Sequence, residues 1–215
     1  MSGRATWSVI VPFRSLEVAK TRLEPSCRRD LALAFLQDTL AALRASPHIS
    51  SVIVVSKSAQ LSETIATPVV EDRGSGIDEA VGIAQRWLLD HGWHGHYSVV
   101  MPDLPALRTR DVGTVFGAAE RFPRAFVADS AGIGTTCLTT RQDTIASAFG
   151  ESSAHRHTVL GYQQIPLNAP SMRLDVDTLG DLARAAKMGV GYHTRRLLAN
   201  NDELRALVGR PRGGA

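Results

Sequence analysis

The sequence predicts an α/β fold: a three-layer, mostly parallel, doubly wound sheet covered by helices on both faces. Short apolar runs of strand length recur along the chain, at residues 8–13 (SVIVPF), 51–56 (SVIVVS), 97–101 (YSVVM) and 125–128 (AFVA). Segments with helical spacing separate them, and that alternation is the signature of a parallel sheet with crossover helices. The chain is 215 residues long. It has no internal repeat, low-complexity tract or linker, so residues 1–215 are expected to form a single domain.

In chain order, residues 8–13 read as a buried first strand with Pro12 near its end, followed by a polar, basic loop over 14–23. Ser26 is placed to cap a helix running to about Leu43, in which Leu33, Leu36, Leu40 and Leu43 recur at helical spacing. Residues 51–56 form the second strand, 59–65 a weak helix and 68–70 a short third strand. The turn at 72–76 (DRGSG) opens the clearest helix, with Ile77, Ala80, Val81, Ala84, Trp87 and Leu88 on one face. A strand at 97–101 follows, then a helix started by Thr109 and Asp111, then a strand at 125–128. Beyond Asp129 the pattern reads as a glycine turn into a short strand (TCLTT) and a helix over 142–149, followed by a loop over 150–157. Strands are expected at 165–167 and 172–176, a helix at 178–188 closed by Gly189, and a short helix at 201–208. Residues 209–215 are expected to be a frayed tail.

Bulk properties narrow the function. The chain is 44% hydrophobic and 21% charged, as in an ordinary water-soluble protein, and no run approaches the ~20 apolar residues of a membrane span. The first residues lack the apolar core of a secretory signal, and Cys27 and Cys137 are far apart with no CxxC. A cytoplasmic setting without membrane partners is expected. A net charge of +3 and a pI near 9.2 favour anionic partners. The basic residues are dispersed among acids, however, so a small phosphorylated ligand is expected rather than nucleic acid.

Several stretches carry potential chemistry. Residues 97–105 (YSVVMPDLP) end an apolar strand at Asp103, between Pro102 and Pro105. Ligands of open α/β sheets bind beyond the carboxyl ends of the strands, so Asp103 is a candidate metal ligand; the alternative is an aspartate that merely starts a turn. Asp175 and Asp177 form a DxD pair, and in an extended segment both would face one side and together with Asp103 suggest a split magnesium site. Alternatively Asp177 or Thr178 only caps the next helix. The first loop carries Arg14, Lys20 and Arg22, which either neutralise phosphates or are solvated. The segment 149–157 (FGESSAHRH) gathers hydroxyls, amides, Arg156 and two histidines, a plausible anion site or else a polar helix-capping loop. His91, His94 and His96 invite a zinc reading, which is set aside because no Cys stands near them to complete a tetrahedral set. No GxxxxGK[ST], GxGxxG or GxSxG is present, which removes P-loop NTPases, dinucleotide-binding dehydrogenases and serine hydrolases from consideration.

Taken together, VPFRSLEVAKTRL at 11–23, PDLPAL at 102–107, FVADSAGIGTT at 126–136, FGESSAHRH at 149–157 and LDVDTLGDL at 174–182 resemble the phosphoenolpyruvate / 2-phospho-L-lactate guanylyltransferases of coenzyme F-420 biosynthesis. The segments occur in the family's order and span nearly the whole chain. The resemblance implies a nucleotidyltransferase fold of the GT-A-like, nucleotide-diphospho-sugar transferase type. It also implies transfer of GMP from GTP to the phosphate of a small phospho-acid, with release of pyrophosphate. By matching position, Asp103, Asp175 and Asp177 would hold Mg²⁺, and Asp103, Lys20 and Arg22 would be the catalytic residues. Arg14, Lys20, Arg22, Gly76 and Asp78 would bind the nucleotide. Thr135, Gly150 and Ser153 would contact the phospho-acid, with His157 beside them. Where relatives carry Gly-Leu-Asn this chain reads Gly76-Ile77-Asp78, so an acceptor-only carboxylate stands where an amide is usual. A homodimer and a hand-off of the labile product to the downstream transferase are further expectations. The rival classes are 3-phosphoglycerate as acceptor, a GT-A-like glycosyltransferase, and a non-enzymatic nucleotide- or nucleic-acid-binding module.

Overall fold

The computed structural model describes residues 6–13, 25–58 and 60–209. Seven strands form one sheet: β1 (Trp7–Phe13), β2 (Ile49–Ser56), β3 (Val69–Glu71), β4 (His96–Val100), β5 (Arg124–Ala128), β6 (Thr135–Thr140) and β7 (Gln163–Gln164). Their spatial order is β3-β2-β1-β4-β6-β5-β7. Pairings β1–β2, β1–β4, β2–β3 and β5–β7 are parallel, whereas β6 runs antiparallel to both β4 and β5. The direction of winding switches between β1 and β4, where open α/β sheets leave a crevice.

Alternation along β1 explains the layers. Val9 and Val11 face a core shared with Leu36, Leu40 and Leu43 of α1 (Pro25–Arg44) and with Val112, Val115 and Phe116 of α4 (Thr109–Ala119). Ile10 faces the opposite core, with Ala80, Val81, Ala84 and Leu88 of α3 (Ile77–Asp90). Between α1 and α3 in the chain, α2 (Leu61–Thr64) is a single turn. Successive strand side chains point to opposite faces, so a strand apolar at every position must be covered on both. The sheet is thus sandwiched as its composition demands. A third cluster joins Leu31 and Phe35, on another face of α1, to Leu182 and Ala185 of α7 (Leu179–Met188) and Leu204 of α9 (Asp202–Gly209).

Four sequence expectations beyond residue 141 need correction. Residues 142–149 form no helix. Their amides are taken by side chains instead: Ile145 N donates to Gln85 Oε1, Ala148 N to His157 Nε2 and Phe149 N to Asp78 Oδ1. The expected loop at 150–157 becomes a helix, α5 (Ser153–Val159), after Gly150 and Ser152 take positive φ of 111° and 53° and turn the chain into it. The expected strand at 165–167 is replaced by the short β7 just before it. Residues 172–176 are not a strand either. Met172 and Arg173 end the one-turn helix α6 (Pro170–Arg173), begun by a proline that suits a first turn, and Asp175 follows in irregular chain.

The helix at 178–188 is observed, with Thr178 and Asp181 forming a reciprocal capping box and Gly189 closing it. α8 (Tyr192–Asn200) follows, its first amides at His193 and Thr194 held by the buried carboxylate of Asp38 at 2.9 Å each. Ser26 lies inside α1 rather than ahead of it. Of the expected tail, residues 210–215 lie outside the described residues.

Candidate active site

The carboxyl ends of β1, β2, β3, β4 and β5 and the start of the antiparallel β6 share one edge of the sheet. Asp103, Asp129 and Thr135 therefore emerge together, although widely spaced in sequence. The backbone around Asp103 is fixed from α1. The fully buried Thr39 hydroxyl donates to Pro102 O (3.1 Å) and accepts from Leu104 N (3.3 Å). Asp103 O in turn accepts from Val176 N at 3.0 Å, which brings the Asp175–Asp177 segment beside it. Arg173 completes the corner by donating to Ala128 O (3.1 Å) and Asp129 O (2.8 Å) at the end of β5.

The result is a concentration of negative charge. Asp103 is pushed up to about 7, first by burial and then by Asp175 and Asp177. Its Oδ1 is buried without a hydrogen-bond partner. Asp175 is pushed up to about 6 by burial, Asp177 and Asp129, and Asp177 is raised by burial, Asp181 and Asp129. Among the described residues no three His, Cys, Asp or Glu side chains converge as a closed metal cage. Asp129 was not singled out in the sequence. Its carboxylate staples the following turn, accepting from Ile133 N (2.9 Å) and Gly134 N (2.8 Å). A Cβ on Gly134 would stand 2.6 Å from Asp129 Oδ2, so a side chain there would displace the Asp129 carboxylate from the turn.

Beside this corner the 149–157 segment, which includes Arg156, packs against the start of β6. His157 is fully buried. Its Nδ1 lies 2.9 Å from Thr135 Oγ1, and its Nε2 accepts from Ala148 N at 3.1 Å. Burial, against a weaker opposing pull from Asp78, lowers its pKa to about 4. Ala154 N donates to Ile133 O (3.0 Å), which locks α5 against the turn preceding Thr135. Arg156 donates to Phe149 O at 2.9 Å. Gly150 has φ +111°, a region that disfavours side chains, and a Cβ there would also press on the Arg156 guanidinium at 3.0 Å. The structure thus brings Thr135, Gly150, Ser153 and His157 together. His157 stands beside the other three, with both ring nitrogens committed to protein groups.

On the other side, Gly76 precedes α3 and Asp78 occupies its first turn. Asp78 is exposed, and its Oδ1 accepts from Phe149 N at 2.9 Å, so the carboxylate ties α3 to the 149–153 turn. Arg14, Lys20 and Arg22 lie outside the described residues. The histidines at 91, 94 and 96 do not gather: His91 stacks on Trp87 and His96 packs against Trp7.

This constellation can be set against known proteins. Residues 7–201 match the model of the family described as "Guanylyl transferase CofC like". The chain belongs to that family. It is accordingly a nucleotidyltransferase. Phosphoenolpyruvate guanylyltransferase 2 of Rhodococcus jostii (strain RHA1) is 71% identical over 207 residues, covering 96% of this chain and 97% of the relative. Phosphoenolpyruvate guanylyltransferase of Streptomyces coelicolor is 38% identical over 203 residues, covering 90% and 96%. Among solved structures, one from Desulfovibrio desulfuricans G20 assigned as a nucleotide-diphospho-sugar transferase superposes with a TM-score of 0.68 at 19% identity, covering 94% of this chain and 97% of that one. A 4-diphosphocytidyl-2C-methyl-D-erythritol synthase gives 0.61 at 13% identity, covering 86% and 99%. At such identities these two likenesses establish the fold, which is the nucleotidyltransferase type expected from the sequence. No helix among the described residues is long and apolar enough to cross a membrane.

Thr39 and Asp129 are the residues that sequence reasoning passed over. Thr39 had a visible signal: it is a polar residue next to Leu40 and three positions after Leu36, within the apolar stripe of α1. Asp129 stood inside a recognised segment but outside any DxD or strand-end proline motif.

Proposed function

We propose that this enzyme transfers GMP from GTP to the phosphate of phosphoenolpyruvate, releasing pyrophosphate, as a step of coenzyme F-420 biosynthesis. The observation that carries the reading is the acidic corner holding a buried, unpartnered Asp103 oxygen next to the donor-lined wall of Thr135, Gly150 and Ser153. The acceptor is chosen from the name of the 71% identical relative. The same donors would admit 2-phospho-L-lactate or 3-phosphoglycerate.

The residues present fit a hard divalent cation. An unpartnered buried carboxylate oxygen and neighbouring carboxylates that repel one another are relieved by Mg²⁺, which takes one or two carboxylates and completes its shell with water and phosphate oxygens. That preference matches an open corner better than a closed cage. Asp103, Asp175 and Asp177 are the residues that would hold it, and when bound it supplies neutralisation of the developing phosphate charge. The chain's own contribution is positioning. Thr39 fixes the backbone on both sides of Asp103, Val176 N holds the DxD segment against it, and the Thr135–His157–Ala148 network fixes the wall that would receive the phospho-acid. The attacking phosphate oxygen is already anionic, so no strong general base is needed; alignment and charge stabilisation carry the reaction. Lys20 and Arg22 would lie along the GTP phosphates. Gly76 and Asp78 would border the base, with one Asp78 oxygen already engaged by Phe149 N.

The test is pyrophosphate release with GTP or ATP against phosphoenolpyruvate, 2-phospho-L-lactate and 3-phosphoglycerate, with and without Mg²⁺. Magnesium-dependent release with GTP and phosphoenolpyruvate is expected. Consumption of a nucleotide-sugar without pyrophosphate release, or no pyrophosphate release with any phospho-acid, would refute the reading.

A further inference from the structure

His157 is buried among Phe126, Phe149 and Tyr162, with the Phe149 ring edge-on at a centroid distance of 4.9 Å. Its hydrogen bonds decide its tautomer. The Ala148 amide can only donate, so the Nε2 that receives it must carry a lone pair. A neutral imidazole bearing that lone pair carries its proton on Nδ1. Nδ1–H then donates to Thr135 Oγ1, 2.9 Å away. A hydroxyl has one hydrogen to give. With Oγ1 accepting from the ring, the Thr135 hydrogen cannot point back at His157 and is available as a donor elsewhere.

We propose that His157 is a positioning residue of the acceptor site. Held as the Nδ1–H tautomer by the Ala148 amide, it turns the Thr135 hydroxyl into an obligate donor to the acceptor anion. This inference rests on the phospho-acid reading given above. It assigns His157 no contact with substrate. The same ring anchors the segment that precedes Gly150, so one side chain sets both the direction of the Thr135 hydroxyl and the place of the turn facing it. The two jobs sit on different ring nitrogens and are separable by substitution. Asparagine places an amide nitrogen near the Nδ1 position and glutamine a carbonyl near the Nε2 position. His157→Asn therefore keeps the donor to Thr135, and His157→Gln keeps the acceptor for Ala148.

The experiment is steady-state pyrophosphate release for the wild type, both His157 variants, Thr135→Val and the Thr135→Val/His157→Gln double variant. It is paired with ¹H–¹⁵N correlation spectra of histidine-labelled wild type. His157→Gln is expected to raise the KM for phosphoenolpyruvate about tenfold or more, the scale of one hydrogen bond to a charged group, and to leave the KM for GTP unchanged. His157→Asn, which keeps the donor to Thr135 but gives up the Ala148 bond, should raise the acceptor KM by less than His157→Gln does, and Thr135→Val should abolish any further effect of His157→Gln. The spectra should show a protonated Nδ1 and an unprotonated Nε2 at neutral pH. A protonated Nε2 would overturn the proposal whether or not any substrate is turned over. Equal effects of the two His157 variants, or an additive double variant, would overturn it while leaving the guanylyltransferase reading intact. Absence of turnover in the wild type would instead strike the acceptor reading, and with it the role of Thr135.

Discussion

Replacing Asp103 by asparagine keeps the shape of the side chain and removes its charge from a corner that already holds Asp129, Asp175 and Asp177. The folded-state value of about 7 lies above the ordinary carboxylate value of 3.8. A group whose pKa is raised on folding stabilises the protein fully below its unfolded value and loses that contribution as pH rises through the folded value. At about 1.4 kcal/mol per unit, the ionised carboxylate above pH 7 therefore costs the metal-free fold up to about 4 kcal/mol. Asparagine is spared this cost, and so the variant should be more stable than wild type at pH 8. For a chain of this length the gain corresponds to a rise in Tm on the order of 10 °C. The advantage should shrink as pH falls from 7 and vanish near pH 4, where the wild-type carboxyl is protonated too. Calorimetry between pH 4 and 8 in chelator measures it, alongside pyrophosphate release in Mg²⁺. Turnover should fall at least a hundredfold, and Mg²⁺ with GTP should raise the Tm of the wild type far more than that of the variant. A variant that is less stable at pH 8 in chelator, or one that keeps near-native turnover, would refute the assignment of Asp103 as a strained ligand held ready for a cation.

Other perturbations follow from the same geometry. Thr39→Val leaves Pro102 O and Leu104 N without their partner, which should cost about 1–3 kcal/mol in urea unfolding and lower kcat by loosening Asp103. Ser153→Ala should raise the KM for phosphoenolpyruvate about 10- to 100-fold and spare that for GTP; an effect confined to GTP would remove Ser153 from the acceptor wall. Gly150→Ala forces a side chain into φ +111° against Arg156 and should lower stability by about 1–2 kcal/mol, with a loss of acceptor affinity seen in the same kinetic assay. For His157 the folded value of about 4 lies below the ordinary 6.5, so the unfolded chain binds a proton that the native ring refuses between those limits. Wild-type stability should fall relative to His157→Gln as pH drops from 6.5 towards 4, by about 1.4 kcal/mol per unit at most, as read from paired unfolding curves.

How much of this was legible depended on the range of the interaction. The strands β1, β2, β4 and β5 were readable because full burial writes itself as local apolar runs, and α3 and α7 because their periodicity, and for α7 its capping, are also local. The segment 142–149 misled because its apolar residues have helical spacing while Gln85, His157 and Asp78, all from other elements, claim its amides. A pattern in one window cannot reveal a competitor 71 residues away. The candidate site shows the same division. Asp103, Asp175 and Asp177 were visible as carboxylates at punctuated positions, but the fact that they repel one another comes from the Val176–Asp103 backbone bond. The resemblance located Thr135 and His157, and only the structure shows that both ring nitrogens of His157 are taken up by protein groups.

That arrangement fits the chemistry proposed for the site. A phospho-acid that attacks through its own phosphate oxygen has to be oriented without having its nucleophilicity quenched. A cation paired directly to the attacking oxygen would hold it firmly but draw off the electron density it needs. Neutral donors such as the Thr135 hydroxyl orient an anion at a smaller electronic cost. An imidazolium at position 157 would add charge behind the threonine and lose the Ala148 bond at the same time. Burial keeps the ring neutral down to about pH 4 and so protects both the hydrogen-bond chain and the reactivity of the anion it helps to align. Formal positive charge is most needed on the side of the crevice where Asp103, Asp175 and Asp177 would hold a metal ion against the triphosphate. On this reasoning the acidic corner and the uncharged Thr135–His157 pair are complementary halves of one electrostatic arrangement.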